Sequence, residues 1–225
     1  MSTISEFRKI TNNKRDIQTI RTLGPFWESI DIGACIGDFT KELAKITTHR
    51  VYAFEPSPSN FKILRENTKD LSNVNIYKIA VSNQNRDDGI LYKCPTNLGM
   101  NRMYKSDWCK GGKAVYNVKV RPLDSMIIHY TGSIDFVKID VEGFEHRVIM
   151  GMKQLLKWFH PFLMIEWHPP TMEEALSSPK ALYDFLHYRL NYNMMTNCKN
   201  NQPIKSYEEL DSLTRERAGM NILFY

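Results

Sequence analysis

Carboxylates and a histidine follow two apolar runs of the sequence. Asp140, Glu142 and Glu145 come after the run VKI, and Glu166 and His168 come after the run LMI. If these runs are neighbouring parallel strands, their carboxyl ends open onto one crevice, which is where open α/β sheets bind ligands. A carboxylate or an imidazole there can take the proton of a bound hydroxyl group, which speeds a reaction by ~10²–10⁴-fold.

The same residues have plainer interpretations, which stay open at this point. Glu142 and Glu145 fit the first turn of a helix, where a carboxylate meets the positive end of the helix dipole. His168 precedes two prolines and can be an ordinary loop residue. Asp140, Glu142 and Glu166 can instead hold Mg²⁺, which prefers carboxylate oxygens. Nothing in the sequence requires a metal, and we expect none.

A glycine-containing segment, DIGACIGD, joins an apolar run to an amphipathic one. Gly33 and Gly37 leave room for a ligand or for close packing of a helix on a strand. Their spacing is neither GxGxxG nor GxxxxGK[ST], which disfavours a pyrophosphate or a nucleoside triphosphate. Glu55 follows roughly 20 residues later, where an acidic side chain binds a ribose diol in doubly wound folds. Asp31 would attract a cationic ligand and repel a phosphate.

Short apolar runs alternate with amphipathic stretches from residue 26 onward. This alternation is typical of a parallel sheet with helices on both faces. The predicted strands are FWESIDIG, RVYAFEP, NVNIYKIAV, SIDFVKIDVEG and PFLMIEW, and NYNMMT and NILFY form a closing pair. The predicted helices are 38–46, SPSNFKILRENTKDL, one from Val148 to Phe159, and 179–190.

Two segments depart from this alternation. Residues 1–23 carry apolar residues at helical spacing, which predicts a leading, interrupted helix. These are Ile4, Phe7, Ile10, Ile17 and Ile20. Residues 85–120 form an insertion with the extended pieces ILYK and NVKV, and long insertions in compact domains are usually functional. We expect it to cover the substrate, with side chains that stack on sugars or bases. The side chains in question are Tyr104, Lys105, Trp108, Lys110 and Lys113.

The composition fits one globular domain over residues 1–225. Of the 225 residues, 42% are apolar and 24% charged, which excludes a disordered or collagen-like chain. No stretch approaches the ~20 apolar residues of a membrane span. The N-terminus MSTISEFRKI has charges where a secretion signal has its apolar region. The four cysteines form no CxxC pair, so we expect reduced thiols and a cytoplasmic location. The net charge of +5 permits a nucleic-acid partner without requiring one.

Four segments together resemble one known family. In chain order, DIGACIGDFT, AFEPSPSNFKILREN, VKIDVEGFEHRVIMG and PFLMIEWHP are similar to the FkbM family of S-adenosylmethionine-dependent methyltransferases. The resemblance runs from about residue 28 to about residue 168, and the combination of IDVEGFE with FEPSPSN makes it specific. It implies a Rossmann-like class I methyltransferase fold, with a mostly parallel seven-stranded sheet and an antiparallel C-terminal strand pair. Cys35 stands where the family usually has Asn, and we do not count it as a ligand contact.

The resemblance also implies where the cofactor, S-adenosyl-L-methionine, lies. Glu55 would hold the ribose hydroxyls. The residues expected around the methionine part are Asp31, Gly33, Ala34 and Gly37. Those expected to shape the adenosine side are Pro56, Ser57 and Asn60. Ala80 and Val81, at the end of the third strand, would flank adenine, with Ser82 near its amino edge. An Ala-Val pair at a strand end is also typical of a protein core.

For the reaction, the resemblance implies methyl transfer, and we expect the hydroxyl group of a sugar in a glycan to be the acceptor. Asp140 is expected nearest the transferred methyl group, where it holds or deprotonates the acceptor. His168 is the second candidate for the base, and Glu166 would orient the acceptor or His168.

Alternative functions remain. The acceptor can be an RNA, which the lysines of the insertion favour slightly, or a small natural product. The chain can also be a non-catalytic module of a larger protein that keeps the fold. The sequence leaves the oligomeric state open.

Overall fold

The described part of the chain forms an eight-stranded sheet and a three-stranded sheet. The computed structural model describes residues 14–95, 97–106, 115–129, 132–216 and 219–225. The strands in chain order are β1 (Phe26–Ile32), β2 (Thr47–Phe54), β3 (Val74–Tyr77), β4 (Ala80–Val81), β5 (Arg86–Tyr92), β6 (Val115–Arg121), β7 (Ile134–Ile139), β8 (Phe162–Trp167), β9 (Met195–Asn197), β10 (Gln202–Ile204) and β11 (Met220–Phe224).

The large sheet has the order β10-β9-β11-β8-β7-β1-β2-β3. The neighbours from β3 to β8 pair in parallel, whereas β11 pairs antiparallel with both β8 and β9. The predicted mostly parallel sheet and its antiparallel closing pair are therefore confirmed. The sheet has eight strands where we expected seven, because β10 adds to the edge beside β9. β10 is too short for a periodic signal, and Pro203, which lacks an N–H, suits an edge strand.

Helices cover both faces of the large sheet. The α-helices in chain order are α1 (Lys14–Leu23), α2 (Asp38–Ile46), α3 (Pro58–Thr68), α4 (Glu145–Met150), α5 (Lys153–Phe159), α6 (Pro169–Glu174), α7 (Pro179–Asp184) and α8 (Tyr207–Arg215). Side chains alternate between the two faces of a strand. On one face, Ile139 of β7 shares a buried cluster with Leu156 of α5. On the other, Phe136 of β7 shares a cluster with Ile20 of α1 and Leu43 of α2.

The run NVNIYKIAV, predicted as one strand, forms two. β3 pairs with β2 in the large sheet, and β4 pairs in parallel with β6 in the small sheet. Ala80 and Val81 therefore do not close the third strand of the large sheet, as we expected, but start the small one. An apolar run does not reveal by its pattern whether the chain turns within it.

The helix predicted from Val148 to Phe159 is also divided, into α4 and α5. Gly151 ends α4, and a Cβ atom at this position would lie 2.1 Å from the backbone oxygen of Ser82. The backbone after β4 therefore packs directly against the point where α4 ends and α5 has not yet begun. The helix predicted over 179–190 begins as α7 and continues as a π-helical turn, Phe185–Arg189.

The extended pieces ILYK and NVKV of the insertion lie almost entirely in two strands, β5 and β6. β5 and β6 pair antiparallel, with Gly89 opposite Val118, and with β4 they form the small sheet in the order β4-β6-β5. Leu91 and Val120 bury its inner side. The leading helix is confirmed for α1, whereas Ile4, Phe7 and Ile10 lie outside the described residues. Among the helices of the described ranges, not one has both the length and the apolar character needed to cross a bilayer.

Candidate active site

The register of the large sheet brings four strand ends to one level. Ile32 of β1 lies beside Phe54 of β2 and Ile139 of β7, and Ile139 lies beside Ile165 of β8. The residues that follow at this carboxyl edge are Gly33, Glu55, Asp140 and Glu166. Residues that are far apart in the sequence thus meet at one place.

These strand ends line a cavity of about 730 Å³, a size within the ~300–1,000 Å³ that is usual for small-molecule sites. Its opposite wall comes from residues 97–103 of the insertion. Asp16 and Ile17 of α1 and residues 219–221 at the start of β11 complete it. The cavity is therefore bounded by both sheets and by the leading helix.

The two glycines of the DIGACIGD segment both have a left-handed backbone, with φ of 85° at Gly33 and 88° at Gly37. At Gly33 a Cβ atom would lie 1.8 Å from the backbone oxygen of Asp140, so the β1 and β7 ends pack without any space between them. At Gly37 a Cβ atom would lie 2.6 Å from Leu64 of α3. Gly33 lines the cavity, whereas Gly37 serves the packing of α3 behind it.

Glu55 is held in a fixed position at the cavity. One carboxylate oxygen accepts a hydrogen bond from the backbone N–H of Ser57 at 2.8 Å, and the other accepts one from Cys35 at 2.9 Å. Each oxygen keeps a second lone pair for a ligand hydroxyl. Only 5% of the residue is exposed, and burial raises the pKa of Glu55 to about 8.

Asn60 of α3 presents an unused acceptor beside Glu55. Its amide nitrogen donates to the backbone oxygen of Leu98 at 2.9 Å, which ties the insertion to α3. Its Oδ1 atom is buried and has no hydrogen-bond partner among the described residues. Because Asn60 lines the cavity, a donor group of a ligand can satisfy this oxygen.

The expected cofactor-binding residues separate into two sets. The ones that line the cavity are Gly33, Ala34, Glu55, Pro56, Asn60, Ala80 and Val81. The ones that do not are Asp31, Gly37, Ser57 and Ser82.

The second set has structural contacts that explain its position. Asp31 is completely buried and accepts a hydrogen bond from Thr40 at 2.6 Å, so it does not face a cationic ligand directly as we expected. Ser57 caps α3, with its hydroxyl accepting from the N–H of Asn60. Ser82 is buried, and its backbone packs against Gly151.

Asp140 lies at the cavity with one side of its carboxylate fixed. Lys138, on the same side of β7, donates a hydrogen bond to Asp140 Oδ2 at 2.7 Å. Burial lowers the pKa of Lys138, but Asp140 and Asp31 offset this and hold that pKa above its usual range. The ammonium group therefore stays charged. Asp140 Oδ1 has no hydrogen-bond partner among the described residues and is available to a ligand.

Asp140, Glu142 and Glu166 form an acidic cluster, in which one carboxylate oxygen of each lies within 4.8 Å of the others. Burial, together with the charge of Asp140, raises the pKa of Glu142 to about 8. Burial and the neighbouring carboxylates hold the pKa of Glu166 well above its usual range. These are the three carboxylates that the sequence offered as an alternative magnesium site.

Glu142 and Glu145, which the sequence placed in the same helical turn, occupy different positions in the structure. Glu145 does begin α4, and its Oε1 accepts the backbone N–H groups of Val141 and Gly143 at 3.2 and 3.1 Å. Burial raises the pKa of Glu145 to about 7. Glu142 precedes the helix and lines the cavity. The helix-dipole interpretation thus holds for Glu145 and is wrong for Glu142.

His168 also lines the cavity, at the position just before α6. Burial and the nearby Arg102 lower the pKa of His168 below its ordinary value. The imidazole is therefore neutral at pH 7 and able to accept a proton. All three residues proposed from the sequence as catalytic, Asp140, Glu166 and His168, are brought to the same cavity.

Arg102 is a site residue that the sequence analysis missed. Only 2% of it is exposed, and its guanidinium group contacts Glu142 at 3.3 Å and Glu174 of α6 at 3.0 Å. It lies in an irregular part of the insertion, where no periodicity marks a buried position. The one available signal was its place within a long insertion.

Cys35 is a second residue that we left out. It lines the cavity, and its backbone N–H is one of the two that hold Glu55. Burial raises the pKa of the Cys35 thiol to about 12, so the thiol is neutral. The side chain that replaces the usual Asn thus forms part of the cavity wall.

The aromatic and basic residues expected to cover the acceptor are only partly described. The ring of Tyr104 stacks on Phe144 with 5.8 Å between centroids, and its hydroxyl donates to Thr171. Lys105 is exposed. Trp108, Lys110 and Lys113 lie outside the described residues.

Solved structures that match this fold include several methyltransferases. The methyltransferase FkbM from Methylobacillus flagellatus KT is 16% identical with a TM-score of 0.51, and the match covers 89% of this chain and 44% of that one. This chain thus spans less than half the length of that protein. A SAM-dependent methyltransferase from Aquifex aeolicus is 12% identical with a TM-score of 0.50, over 100% of this chain and 98% of that one. The N-methyltransferase NodS from Bradyrhizobium japonicum WM9 is 12% identical with a TM-score of 0.50, over 95% and 94%.

The shared architecture is the Rossmann-like fold of class I methyltransferases, as predicted, with one additional edge strand. A search among curated proteins finds no match. The family model of the methyltransferase FkbM domain matches residues 31–194, which is more than half of the chain. The match includes the glycine segment, Glu55, the acidic cluster and His168. On this evidence the chain belongs to the FkbM methyltransferase family.

Proposed function

We propose that the protein is an S-adenosylmethionine-dependent O-methyltransferase whose acceptor is a hydroxyl group of a sugar in a glycan. The observation that carries the proposal is the carboxylate of Asp140, which Lys138 fixes at 2.7 Å on the cavity edge that also holds Glu55. Asp140 suits the acceptor and Glu55 suits the cofactor, and both line the same cavity.

The residues of the cavity fit the cofactor. When bound, S-adenosylmethionine supplies an electrophilic methyl group on a positively charged sulfur. In our proposal Glu55 accepts hydrogen bonds from the ribose hydroxyls with its free lone pairs, and Ala80 and Val81 flank adenine. The unpartnered Oδ1 of Asn60 takes the adenine amino group, the role we first expected near Ser82. Gly33 and Ala34 adjoin the methionine part.

Asp140 is proposed to handle the proton of the acceptor. Its Oδ2 is bound to Lys138, so Oδ1 is the atom that holds the acceptor hydroxyl and takes its proton as the oxygen is methylated. A base placed in this way contributes ~10²–10⁴-fold. His168 lines the same space, with a lowered pKa that favours its neutral form, and is the second candidate. Glu166 orients the acceptor.

The charge of the cavity favours a neutral acceptor. Asp140, Glu142 and Glu166 lie together at the edge where the acceptor would bind, and the raised pKa values of Glu142 and Glu166 indicate that further negative charge is unfavourable there. A phosphate of an RNA would meet these carboxylates, whereas the hydroxyl groups of a sugar can donate hydrogen bonds to them. We therefore favour a sugar over an RNA as the acceptor.

We propose that the reaction needs no metal ion. Lys138 contacts Asp140 and Arg102 contacts Glu142, so two of the three carboxylates in the acidic cluster already have a cationic partner. Methyl transfer in excess EDTA should therefore keep more than about half of the rate measured without EDTA, since EDTA has no catalytic metal ion to remove. The rate in EDTA is compared with the rate in the presence of added Mg²⁺. Loss of activity in EDTA with recovery in Mg²⁺ would assign the acidic cluster to a metal.

The remaining expectations are part of the same proposal. We propose a single methyltransferase domain in which the insertion covers the acceptor; the ties of residues 97–106 to α3 and α6 support this. The thiols of Cys35 and Cys198 are free, which suits a reducing, cytoplasmic setting.

A labelled-methyl assay tests the proposed function. The protein is incubated with S-adenosylmethionine that carries a labelled methyl group and with separate glycans, RNAs and small alcohols. We expect label in a glycan and a loss of about 100-fold or more in Asp140→Asn, since the base is removed while the shape is kept. Binding of S-adenosylhomocysteine should stay within about threefold. Label found in RNA alone, or full activity in Asp140→Asn, would contradict the assignment.

A further inference from the structure

We propose that Glu142 binds a second hydroxyl group of the acceptor and that Arg102 is the positioning residue that holds Glu142 in place. This inference rests on the proposed function, because it concerns the sugar acceptor of that reaction. It adds a binding residue beside Asp140 and assigns a role to the insertion.

The backbone at Glu142 is held in an unusual conformation. Glu142 has φ of 56° and Gly143 has φ of 105°, so two consecutive residues are left-handed. This conformation is unfavourable for a residue with a side chain. The segment packs closely against α6: a Cβ atom on Gly143 would lie 2.4 Å from the backbone oxygen of Thr171. An outlier that the neighbouring structure maintains is a reason to look for function.

The conformation presents the Glu142 carboxylate at the cavity. One oxygen contacts Arg102 at 3.3 Å, and the other has no hydrogen-bond partner among the described residues. The carboxylates of Asp140 and Glu142 approach each other within 4.8 Å. Two acceptors at this separation suit neighbouring hydroxyl groups of one sugar ring, of which Asp140 takes the one that is methylated.

Arg102 is built into the site rather than placed on its surface. Burying a guanidinium group is costly unless carboxylates and hydrogen bonds compensate it. Here Glu142 and Glu174 supply two carboxylates, Ser106 accepts a further hydrogen bond, and the guanidinium lies over the Tyr104 ring at 5.7 Å. Glu174 anchors Arg102 to α6, so the side chain can fix Glu142 without touching the acceptor itself.

Arg102 also favours the ionised form of Glu142, although burial and Asp140 raise the pKa of this carboxyl group to about 8. The groups that face Glu142 are Asp140 and Glu145 from its own segment, Glu166 from β8, and Arg102 and Tyr104 from the insertion. The carboxylates favour the protonated form of Glu142, whereas Arg102 opposes it. Removing the guanidinium should therefore raise the pKa of Glu142.

The test measures binding of methyl glycosides of glucose, galactose, mannose and rhamnose, and of their monodeoxy analogues, to the complex with S-adenosylhomocysteine. We expect one glycoside to bind at pH 9, where Glu142 is ionised, and we expect Glu142→Gln to weaken that binding about tenfold or more, since a hydrogen bond to a charged group is lost. The analogue that lacks the second hydroxyl should bind wild type about as weakly as the full glycoside binds Glu142→Gln. The substitution Glu142→Gln should weaken binding of this analogue by less than about twofold.

Arg102 is tested by the pH dependence of the same binding. In Arg102→Met the pH midpoint below which the glycoside is released should move up by about 0.5 pH unit or more, whereas Arg102→Lys, which keeps the positive charge, should move it much less. A merely structural role would lower affinity at every pH without moving the midpoint. The matched controls are Glu66→Gln, which is exposed, and Arg21→Met, whose ion pair with Glu42 is on the surface.

The outcomes separate the two proposals. Failure of the wild type to bind S-adenosylhomocysteine overturns the proposed function. If S-adenosylhomocysteine binds but no glycoside binds, or if Glu142→Gln binds the glycoside like wild type, the inference about Glu142 is wrong. An unmoved midpoint in Arg102→Met removes Arg102 as the positioning residue.

Discussion

Glu166 is half-buried among carboxylates, and no lysine or arginine in the described ranges forms an ion pair with it. Burial and the charges of Asp140, Glu142 and Glu145 hold its pKa well above the usual value. A carboxyl group whose pKa is raised on folding contributes stability below its unfolded pKa, and that contribution is lost as the pH rises through the folded value. This residue therefore makes the unliganded protein less stable in alkaline solution.

Glu166→Gln should remove this dependence. Because glutamine resembles the protonated carboxyl group, we expect the free energy of unfolding at pH 9 to rise by about 1–2 kcal/mol, with little change at pH 5. Urea unfolding of wild type and variant at both pH values measures it, and Glu66→Gln is the exposed control. Equal effects at pH 5 and pH 9 would argue against a strongly raised pKa at Glu166.

At the scale of elements, the sequence predicted only some of the strands whose ends form the cavity. The runs FWESIDIG, SIDFVKIDVEG and PFLMIEW predicted β1, β7 and β8 correctly, because strands buried on both faces must be continuously apolar. Their parallel order also predicted that Asp140, Glu166 and Glu55 meet. The divided strand NVNIYKIAV and the edge strand β10 were not predictable, because tertiary pairing decides them and local pattern does not.

The turn after β1 gives a prediction at this scale. In Gly33→Ala the new methyl group would overlap the backbone oxygen of Asp140, at 1.8 Å, in a left-handed conformation that alanine rarely adopts. We expect destabilisation by about 2 kcal/mol or more and weaker binding of S-adenosylhomocysteine. Thermal unfolding and calorimetry measure the two effects.

Gly99→Ala is the matched control for that variant. A Cβ atom there meets only Asn97 Oδ1, at 3.3 Å, and the backbone is not left-handed. Its stability should stay within about 0.5 kcal/mol of wild type. If Gly33→Ala behaved like Gly99→Ala, the β1 turn would be less tightly packed against Asp140 than the structure indicates.

At the scale of the whole molecule, the cavity exists because the small sheet closes against the large one. Asn60 binds Leu98 at the proposed cofactor end, and Arg102 binds Glu142 and Glu174 at the proposed acceptor end. The sequence predicted an insertion over the substrate from its composition and length. It did not predict these ties, because a buried arginine and a backbone oxygen in irregular chain leave no periodic signal.

Isothermal titration with S-adenosylhomocysteine tests the central claim that the carboxyl edge of β1, β2, β7 and β8 binds the cofactor. We expect wild type and the exposed control Glu66→Ala to bind alike, and Glu55→Ala to bind about tenfold more weakly or worse, because the acceptor for the ribose hydroxyls is gone. Near-ultraviolet circular dichroism checks that each variant is folded. Absence of binding to wild type, or unchanged affinity in folded Glu55→Ala, would contradict the account.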